Sequence, residues 1–142
     1  MRVDGIQNGI VIDHIKAGRG MEIYDLLELK DKDCSVALMI NVVSSKMGRK
    51  DIIKIDSDIP VDYDVIGYVD PGATINTIKD GKLIGKTNLK LPKKLVNVIK
   101  CKNPRCITST EQELDQIFRL TDEENKIYRC IYCETAAKSK QK

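Results

Sequence analysis

The feature that most constrains the fold of this chain is a set of four cysteines in its last fifty residues. Cys101 and Cys106 form a C-x4-C pair, Cys130 and Cys133 form a C-x2-C pair, and 23 residues separate the two pairs. Two short cysteine hairpins supply four thiolates in the tetrahedral geometry of a structural Zn2+ site. The spacing therefore predicts one structural zinc ion per chain, held by all four side chains.

Two other interpretations of the cysteines stay open at this point. A redox dithiol needs only Cys130 and Cys133 and leaves the first pair without a role. Disulfides are typical of secreted chains, whereas this chain has no signal peptide, no apolar run of 18 residues and an odd fifth cysteine. We therefore favour zinc, a cytoplasmic location and no membrane segment. The fifth cysteine, Cys34, is predicted to be a buried apolar residue.

The distribution of cysteines also predicts two domains, because four of the five follow residue 100. We place the junction near Leu91 and Pro92, since proline cannot continue a central strand and the neighbouring stretch is rich in lysine. The segment after it has Phe118 as its only phenylalanine and no tryptophan. With so small a core, metal ligation must supply much of its folding free energy. We expect domains at 1–91 and 92–142, the second a β-rich zinc-ribbon or rubredoxin-like unit.

Hydrophobic periodicity predicts an α+β fold for the first domain. The pattern predicts two helices, at 18–29 and 61–69. It also predicts five strands: buried strands at 9–15 and 34–43, a strand with one wet face at 49–56, and strands at 73–79 and 82–87. Asp80-Gly81 is a two-residue hairpin signal. The order β-α-β-β-α-β plus a hairpin strand is ferredoxin-like, an antiparallel sheet with two helices on one face. Its open face and edges are available to a ligand or a second subunit.

Charge and aromatic content argue against nucleic-acid binding. Residues 1–92 carry 13 Lys/Arg and 14 Asp/Glu, residues 93–142 carry 11 and 7, and aromatic residues are 4% of the chain. Nucleic-acid binders usually concentrate basic charge beside aromatic side chains. A zinc-ribbon nucleic-acid-binding protein with a ferredoxin-like dimerisation domain remains the alternative. The residues needed for a catalytic site are also missing from the pattern. His14 is the only histidine, and a zinc ion bound by four thiolates has no coordination position open for water or substrate. We predict a non-catalytic protein.

Residues 1–92 nevertheless contain patterned charges. Lys50 and Lys54 lie on one face of a predicted strand, about 13 Å apart, and suit either the two ends of a nucleotide or simple solvation of an exposed face. Asp13 and His14 are neighbours near the end of the first strand, so they share one ligand only if the strand ends or twists there. Since no glycine-rich phosphate loop is present, phosphates would be met by lysines and His14.

Four stretches together resemble the regulatory chain of aspartate carbamoyltransferase: GIVIDHI at 9–15, MGRKDIIK at 47–54, ATIN at 73–76 and the cysteine spacing. The resemblance extends over essentially the whole chain. It implies an allosteric domain that pairs with its twin across a sheet edge and binds CTP or ATP, with UTP as a further effector. It also implies a zinc domain that docks on the catalytic chain, three regulatory dimers bridging two catalytic trimers, and control of pyrimidine biosynthesis.

The resemblance further implies a nucleotide site by matching position. Asp13 and Lys54 would contact the ribose and its surroundings, while His14, Lys50 and Lys86 would meet the phosphates. The base pocket and its rim would be lined by Val3, Asp4, Ile6, Val11, Asn76, Ile78 and Leu83. Two positions depart from the family pattern: Gly81 replaces a tyrosine that flanks the base in enterobacterial members, and Arg105 stands where an asparagine is expected.

Overall fold

The computed structural model of the chain describes residues 6–137. The chain separates into two compact units, Met1–Lys90 and Leu91–Lys142. Val3 and Asp4, assigned to the base pocket above, lie outside the described residues. Within the described part of the chain, every helix is too short or too polar to cross a lipid bilayer.

The first unit is a five-stranded antiparallel sheet with two helices. The strands are β1 (Asn8–Lys16), β2 (Ser35–Ser44), β3 (Gly48–Asp56), β4 (Thr74–Lys79) and β5 (Lys82–Asn88), and the helices are α1 (Gly20–Leu26) and α2 (Tyr63–Val69). The sheet order is β2-β3-β1-β4-β5. Because β3 lies between β1 and β2, the first β-α-β unit is split, which is the ferredoxin-like arrangement. The predicted α+β, ferredoxin-like fold is confirmed.

The main core of this unit lies between the sheet and the helices. Ile12, Ile53 and Ile75 come from the three central strands and pack with Ile23 of α1 and Ile66 of α2, all fully buried. Alternate residues of each strand point away from this core. Val11, Ile52 and Ile78 are among them, and with Ile6, which precedes β1, they form a second, smaller apolar cluster on the open face of the sheet. Met39 and Val42 of β2 pack against this cluster.

Both helices are shorter than the sequence pattern predicts. The first was expected to reach residue 29, but Glu28 adopts a left-handed conformation with φ 54°, and a short 3-10 turn over Leu29–Asp31 replaces the last helical turn. The second begins at Tyr63 because the Asp62 side chain accepts the Asp64 backbone N–H at 2.9 Å and caps the helix there.

Burial of β2 and β3 differs from expectation. The apolar run of β2 was predicted to be a buried strand, yet β2 is a sheet edge with Val43 74% and Ile40 60% exposed. Composition does not reveal strand order, so an apolar edge strand reads like a central one. The face of β3 that was predicted to be wet is so only in part: Lys50 and Lys54 are half-buried, and Ile52, which lies between them on the strand, is fully buried. Cys34, just before β2, is half-buried rather than buried and packs against the main core.

The turn between β4 and β5 follows the sequence signal. Asp80 has φ 53° and Gly81 has φ 77°, so both central residues are left-handed, as a two-residue hairpin of type I′ requires.

The second unit is a three-stranded antiparallel sheet of order β6-β7-β8, with β6 at Lys94–Val96, β7 at Ile117–Asp122 and β8 at Ile127–Cys130. A one-turn helix, α3, covers Ile107–Thr110. Leu95, Phe118 and Cys130 are directly opposite one another across the three strands and are buried. The apolar core of this unit is therefore small and includes two of the four paired cysteines, because Cys106 is buried as well.

Candidate metal centre and ligand-binding face

The four cysteines of the second unit converge on one point. Cys101 lies in the loop after β6, Cys106 precedes α3, Cys130 ends β8 and Cys133 lies in the turn after it. All four Sγ atoms lie within 4.8 Å of one another, with Cys101 and Cys133 3.5 Å apart and Cys106 and Cys130 3.7 Å apart. A tetrahedral ion with metal–sulfur bonds of 2.3 Å spaces its ligands by about 3.8 Å. The cysteines are therefore positioned to hold a metal ion.

The same distances bear on the two other interpretations of the cysteines. All five cysteines are free thiols in the structure, and the sulfur separations far exceed the S–S bond length of about 2 Å. The sulfurs of Cys101 and Cys106 also lie beside those of Cys130 and Cys133. All four cysteines can therefore act together as metal ligands, whereas a redox dithiol would use only the second pair.

Backbone amides surround the sulfur atoms. The N–H groups of Asn103 and Thr108 act to lower the pKa of Cys101 and Cys106, and those of Tyr132 and Cys133 act in the same direction on the pKa of Cys130. The Thr135 N–H acts in the same way on the pKa of Cys133. Hydrogen bonds to ionised acceptors are stronger than those between neutral groups. The turns of both cysteine pairs are thus shaped to stabilise negative charge at this point.

Side chains outside the quartet also contribute, and the sequence analysis missed them. Gln116 Oε1 accepts the backbone N–H of Cys101 at 3.0 Å, which holds that loop against β7. The hydroxyl oxygens of Thr108 and Thr135 each lie 3.2 Å from a sulfur, that of Cys106 and that of Cys133. A signal for both was present, since each threonine occurs two residues after the second cysteine of its pair.

The four thiols do not share one proton affinity. Burial raises the pKa of Cys101 to about 12 and also raises the pKa of Cys130. Hydrogen bonds from Thr108 lower the pKa of Cys106, and those from Thr135 lower the pKa of Cys133 to about 6. Four thiolates this close repel one another, so complete deprotonation requires a cation among them.

A second candidate site lies on the open face of the first sheet. Lys54 pairs with Val11, Val11 with Asn76, and Asn76 with Lys86, each directly opposite the next across β3, β1, β4 and β5. Residues directly opposite share a face of the sheet. Because Val11 belongs to the small apolar cluster with Ile6 and Ile78, the whole row lies on the face away from the helices. Leu83, opposite Ile78, is on the same face.

A bulge in β1 adds Asp13 and His14 to this face. The pairing of β1 with β3 slips between Ile12 and Ile15, and His14 has φ 60°. The His14 N–H donates to Asp13 Oδ1 at 2.6 Å, and its ring Nδ1 lies 3.1 Å from Thr74 Oγ1. Thr74 is directly opposite Asp13. The bulge therefore removes the alternation that would separate the two side chains, and Thr74, which the sequence did not single out, orients the imidazole.

Lys50 lies beside this bulge and not among the other lysines. Its Nζ is 3.0 Å from Asp13 Oδ1, and the two side chains are only 12% and 11% exposed. Burial by itself would raise the pKa of Asp13, but the hydrogen bond from Lys50 and the His14 N–H outweigh it and hold the pKa below its ordinary value. A carboxylate and its counter-ion are thus fixed at one end of the open face.

The edge of the open face is less enclosed. Leu83 is 59% exposed, and Lys86 is exposed on the same edge strand. At the adjoining turn, the Gly81 N–H donates to the Gln7 carbonyl at 2.9 Å, and a Cβ at Gly81 would lie 3.5 Å from the Gln7 side chain. Glycine satisfies the positive φ here and leaves this corner of the face without a side chain of its own.

Comparison with known proteins gives the same two-part division. Residues 1–90 match the family model of the aspartate carbamoyltransferase regulatory chain, allosteric domain, and residues 93–142 match that of the metal binding domain of the same chain.

Whole proteins match as well, each named aspartate carbamoyltransferase regulatory chain. The relative from Clostridium tetani is 52% identical over 135 residues, covering 94% of each chain. One from Clostridium botulinum is 52% identical over 134 residues, covering 94% of this chain and 92% of its own. One from Bifidobacterium longum is 42% identical over 138 residues, covering 97% and 99%. With both family models matched in order, this chain belongs to the aspartate carbamoyltransferase regulatory chain family, with an allosteric domain followed by a metal-binding domain.

Proposed function

We propose that this chain is a non-catalytic subunit that binds CTP or ATP on the open face of its first sheet and passes the binding signal to the catalytic chain of aspartate carbamoyltransferase. Residues 1–91 are the nucleotide-binding, dimerising domain, and 92–142 are the zinc domain that docks on the catalytic chain. The proposal extends to UTP as an effector, to control of pyrimidine biosynthesis and to a cytoplasmic location, where free thiols persist.

The observation that carries the nucleotide assignment is the cross-strand row on the open face. Lys54 and Lys86 stand at its two ends, three strand spacings or about 14 Å apart, with Val11 and Asn76 between them. A nucleotide has three parts along its length: a largely apolar base, a ribose that forms hydrogen bonds, and anionic phosphates. The row offers an apolar side chain, an amide and cations in one line, and no glycine-rich loop competes for the phosphates.

Asp13 and His14 add polarity at the bulge. Carboxylates accept hydrogen bonds from ribose hydroxyls, and Asp13 is held in place by Lys50. Through its contact with Thr74, His14 presents the remainder of its ring for a phosphate. We assign Asp13 and Lys54 to the ribose side, His14, Lys50 and Lys86 to the phosphates, and the apolar cluster to the base.

Zinc is the ion that suits the sulfur quartet. Four thiolates at tetrahedral spacing are a typical structural Zn2+ ligand set, and such an ion holds a docking surface in shape without catalysing a reaction. Ile107, Ile131 and Tyr132 are exposed apolar residues next to the cysteines in sequence, and we assign them to the interface with the catalytic chain.

Regulation then follows from differential affinity. A nucleotide changes the activity of the assembled enzyme only if it binds one quaternary state more tightly than the other, with a coupling free energy of about 1–3 kcal/mol. Self-association of the first domain is supported by the apolar edge strand β2, with Ile40 and Val43 exposed.

Calorimetric titration with CTP, ATP and UTP tests the nucleotide assignment. Lys54→Ala and Lys86→Ala should each weaken binding by about 1–3 kcal/mol, because each removes a charge-assisted contact. Lys79→Ala is the matched control: it removes the same charge from β4, but Lys79 follows Ile78 and so points to the opposite face. Titration curves unchanged in both variants, or changed equally in Lys79→Ala, would contradict the assignment.

One observation favours the alternative of nucleic-acid binding. Lys94 is opposite Arg119, and Arg119 is opposite Arg129, so three exposed cations form a row across the second sheet. Like charges placed directly opposite are unfavourable without an anionic partner. Under this alternative, binding to RNA or DNA weakens steeply with salt and requires Arg119. Under the proposal above, no such binding is measurable at physiological salt.

A further inference from the structure

The two cysteine pairs end in the same short pattern. Cys106-Ile107-Thr108 and Cys133-Glu134-Thr135 both read C-x-T, and in both the hydroxyl oxygen lies 3.2 Å from the preceding sulfur. The sulfurs of the first cysteines of the pairs, Cys101 and Cys130, lie 3.5 Å and 3.7 Å from those of Cys133 and Cys106. One sulfur from each pair thus has a hydroxyl beside it, and the two are on different turns of the chain.

The direction of these hydrogen bonds follows from the ligand set. A metal-bound thiolate has no proton to donate, so in the loaded site each threonine hydroxyl must be the donor and the sulfur the acceptor. Donation of this kind lowers the negative charge carried by the sulfur without displacing it from the metal.

The Thr135 hydroxyl also forms a hydrogen bond with Asn103. Asn103 Nδ2 donates to Thr135 Oγ1 at 3.4 Å, and the Asn103 side-chain oxygen accepts the Arg105 N–H at 3.0 Å, which fixes the orientation of the amide. Thr135 Oγ1 accepts from Asn103 and, while Cys133 is a thiol, from the Cys133 sulfur as well; with Cys133 as a metal-bound thiolate, the hydroxyl hydrogen is the one that the sulfur accepts. This chain of two hydrogen bonds runs from the loop of the first cysteine pair to the last cysteine of the second pair.

Thr108 is fixed by burial rather than by a second side chain. It is 4% exposed and lies in α3, whose N-cap is Cys106 itself. A buried hydroxyl needs a hydrogen-bond partner, and the Cys106 sulfur is the acceptor within reach.

We propose that Thr108 and Thr135 are positioning residues of the metal centre, whose hydroxyls stabilise the thiolates of Cys106 and Cys133 and thereby set how tightly the ion is held. The proposal rests on the assignment of the quartet as a zinc site. It predicts that the backbone fold of the two turns is sufficient to assemble the site, while the hydroxyls determine the affinity and slow the loss of the ion.

The test is an equilibrium competition for zinc between the full-length chain and a metallochromic chelator. Thr108→Val and Thr135→Val should each lower zinc affinity by about 10-fold, the lower end of the effect of partners outside the ligand set. Thr121→Val is the matched control, because Thr121 is exposed on β7 and its hydroxyl donates to the Ile127 carbonyl, away from the sulfurs. Its affinity should equal that of the unaltered chain.

Serine and valine separate hydrogen bonding from packing. Serine keeps the hydroxyl and loses the methyl group, whereas valine keeps the shape and loses the hydroxyl. If hydrogen bonding is the role, Thr108→Ser and Thr135→Ser retain zinc within about twofold of the unaltered chain. If packing is the role, serine is the more damaging change and valine the milder one, and the proposal is overturned.

Cobalt substitution gives an independent spectroscopic readout. In the Co2+-loaded chain, loss of a hydrogen bond raises the energy of the sulfur lone pair, so the sulfur-to-cobalt charge-transfer bands should move to longer wavelength in the valine variants only. Bands that do not move in either valine variant overturn the proposal. Should the unaltered chain prove to contain no zinc when isolated, the zinc assignment fails, while the cobalt spectra still decide whether the hydroxyls act on the thiolates.

Discussion

The two units of this chain are stabilised by different means. The first has a core of fully buried isoleucines from three strands and two helices, plus a second apolar cluster on its open face. The second has three short strands, a one-turn helix and a core in which Cys106 and Cys130 are themselves buried. Burial of apolar surface can stabilise the first unit alone, whereas the second has too few large apolar residues to do so.

Because the two units are stabilised differently, they differ in how they can respond to a ligand. The first unit folds around its helix-facing core, so its open face is free to bind and release a small molecule without loss of the fold. In the second unit two of the four cysteines that could hold the ion, Cys106 and Cys130, are also part of the core. An ion held there would therefore be permanent, and the surface of the unit would be rigid only while the ion is bound.

Removal of the metal should have the largest effect, and it should act on the second unit alone. Structural zinc contributes on the order of 10 kcal/mol to small domains, so chelation at elevated temperature or treatment with a mercurial should unfold residues 92–142 and leave the first unit folded. Amide hydrogen exchange resolved by peptide measures both units at once. Protection retained in β7 and β8 of the metal-free chain would show that apolar packing suffices for the second unit.

A cavity in the core of the first unit tests whether apolar packing stabilises that unit independently of the metal. Ile53→Ala removes a fully buried side chain and should lower the free energy of unfolding of the first unit by about 2–5 kcal/mol, with no change in zinc content. Ile84→Ala is the control, since Ile84 is 61% exposed and its truncation should cost little. Denaturant titration gives the stability, and loss of zinc from Ile53→Ala would mean that the units do not fold independently.

Self-association should belong to the first unit only. Val43→Lys places a charge on the exposed apolar edge of β2 and should weaken dimerisation more than about tenfold, as a rise in the dissociation constant measured by sedimentation. Ile131→Lys makes the same kind of change on the second unit, where Ile131 is 46% exposed. A dimer weakened by Ile131→Lys and not by Val43→Lys would reverse the assignment.

The smallest expected effect is a loss of stability of the first unit in acid, caused by protonation of Asp13. Its pKa is lowered in the folded chain, so its ion pair with Lys50 stabilises the fold above the unfolded-state pKa of about 3.9 and is lost as the pH falls through the folded-state pKa. The expected loss is on the order of 1 kcal/mol. Asp13→Asn should abolish this part of the pH dependence of hydrogen exchange in β1 and β3. An unchanged acid profile in Asp13→Asn would show that the pair contributes nothing.

Much of the fold could be predicted because local patterns and tertiary contacts agree. The β-branched run of β1, the Asp-Gly hairpin and the order of elements predict a ferredoxin-like sheet, and the cysteine spacing predicts the sulfur quartet. The predictions that were wrong concern features that hydrophobic patterns do not encode: the position of a strand in the sheet and the backbone conformation of a single residue. β2 looks like a buried strand and is an edge, and α1 ends early because Glu28 takes a left-handed conformation that no periodicity encodes.

The amino-acid sequence fixes which residue types are available: four thiols in two close pairs, lysines at set positions along the strands, and one histidine after an aspartate. Which of these residues meet depends on the folded chain. The row from Lys54 to Lys86 spans four strands, and the bulge at His14 brings its ring to Thr74, sixty residues away. Strand register and bulges are set by pairing partners that are distant in sequence, whereas the distance between two cysteines with two or four residues between them is limited by that short piece of chain.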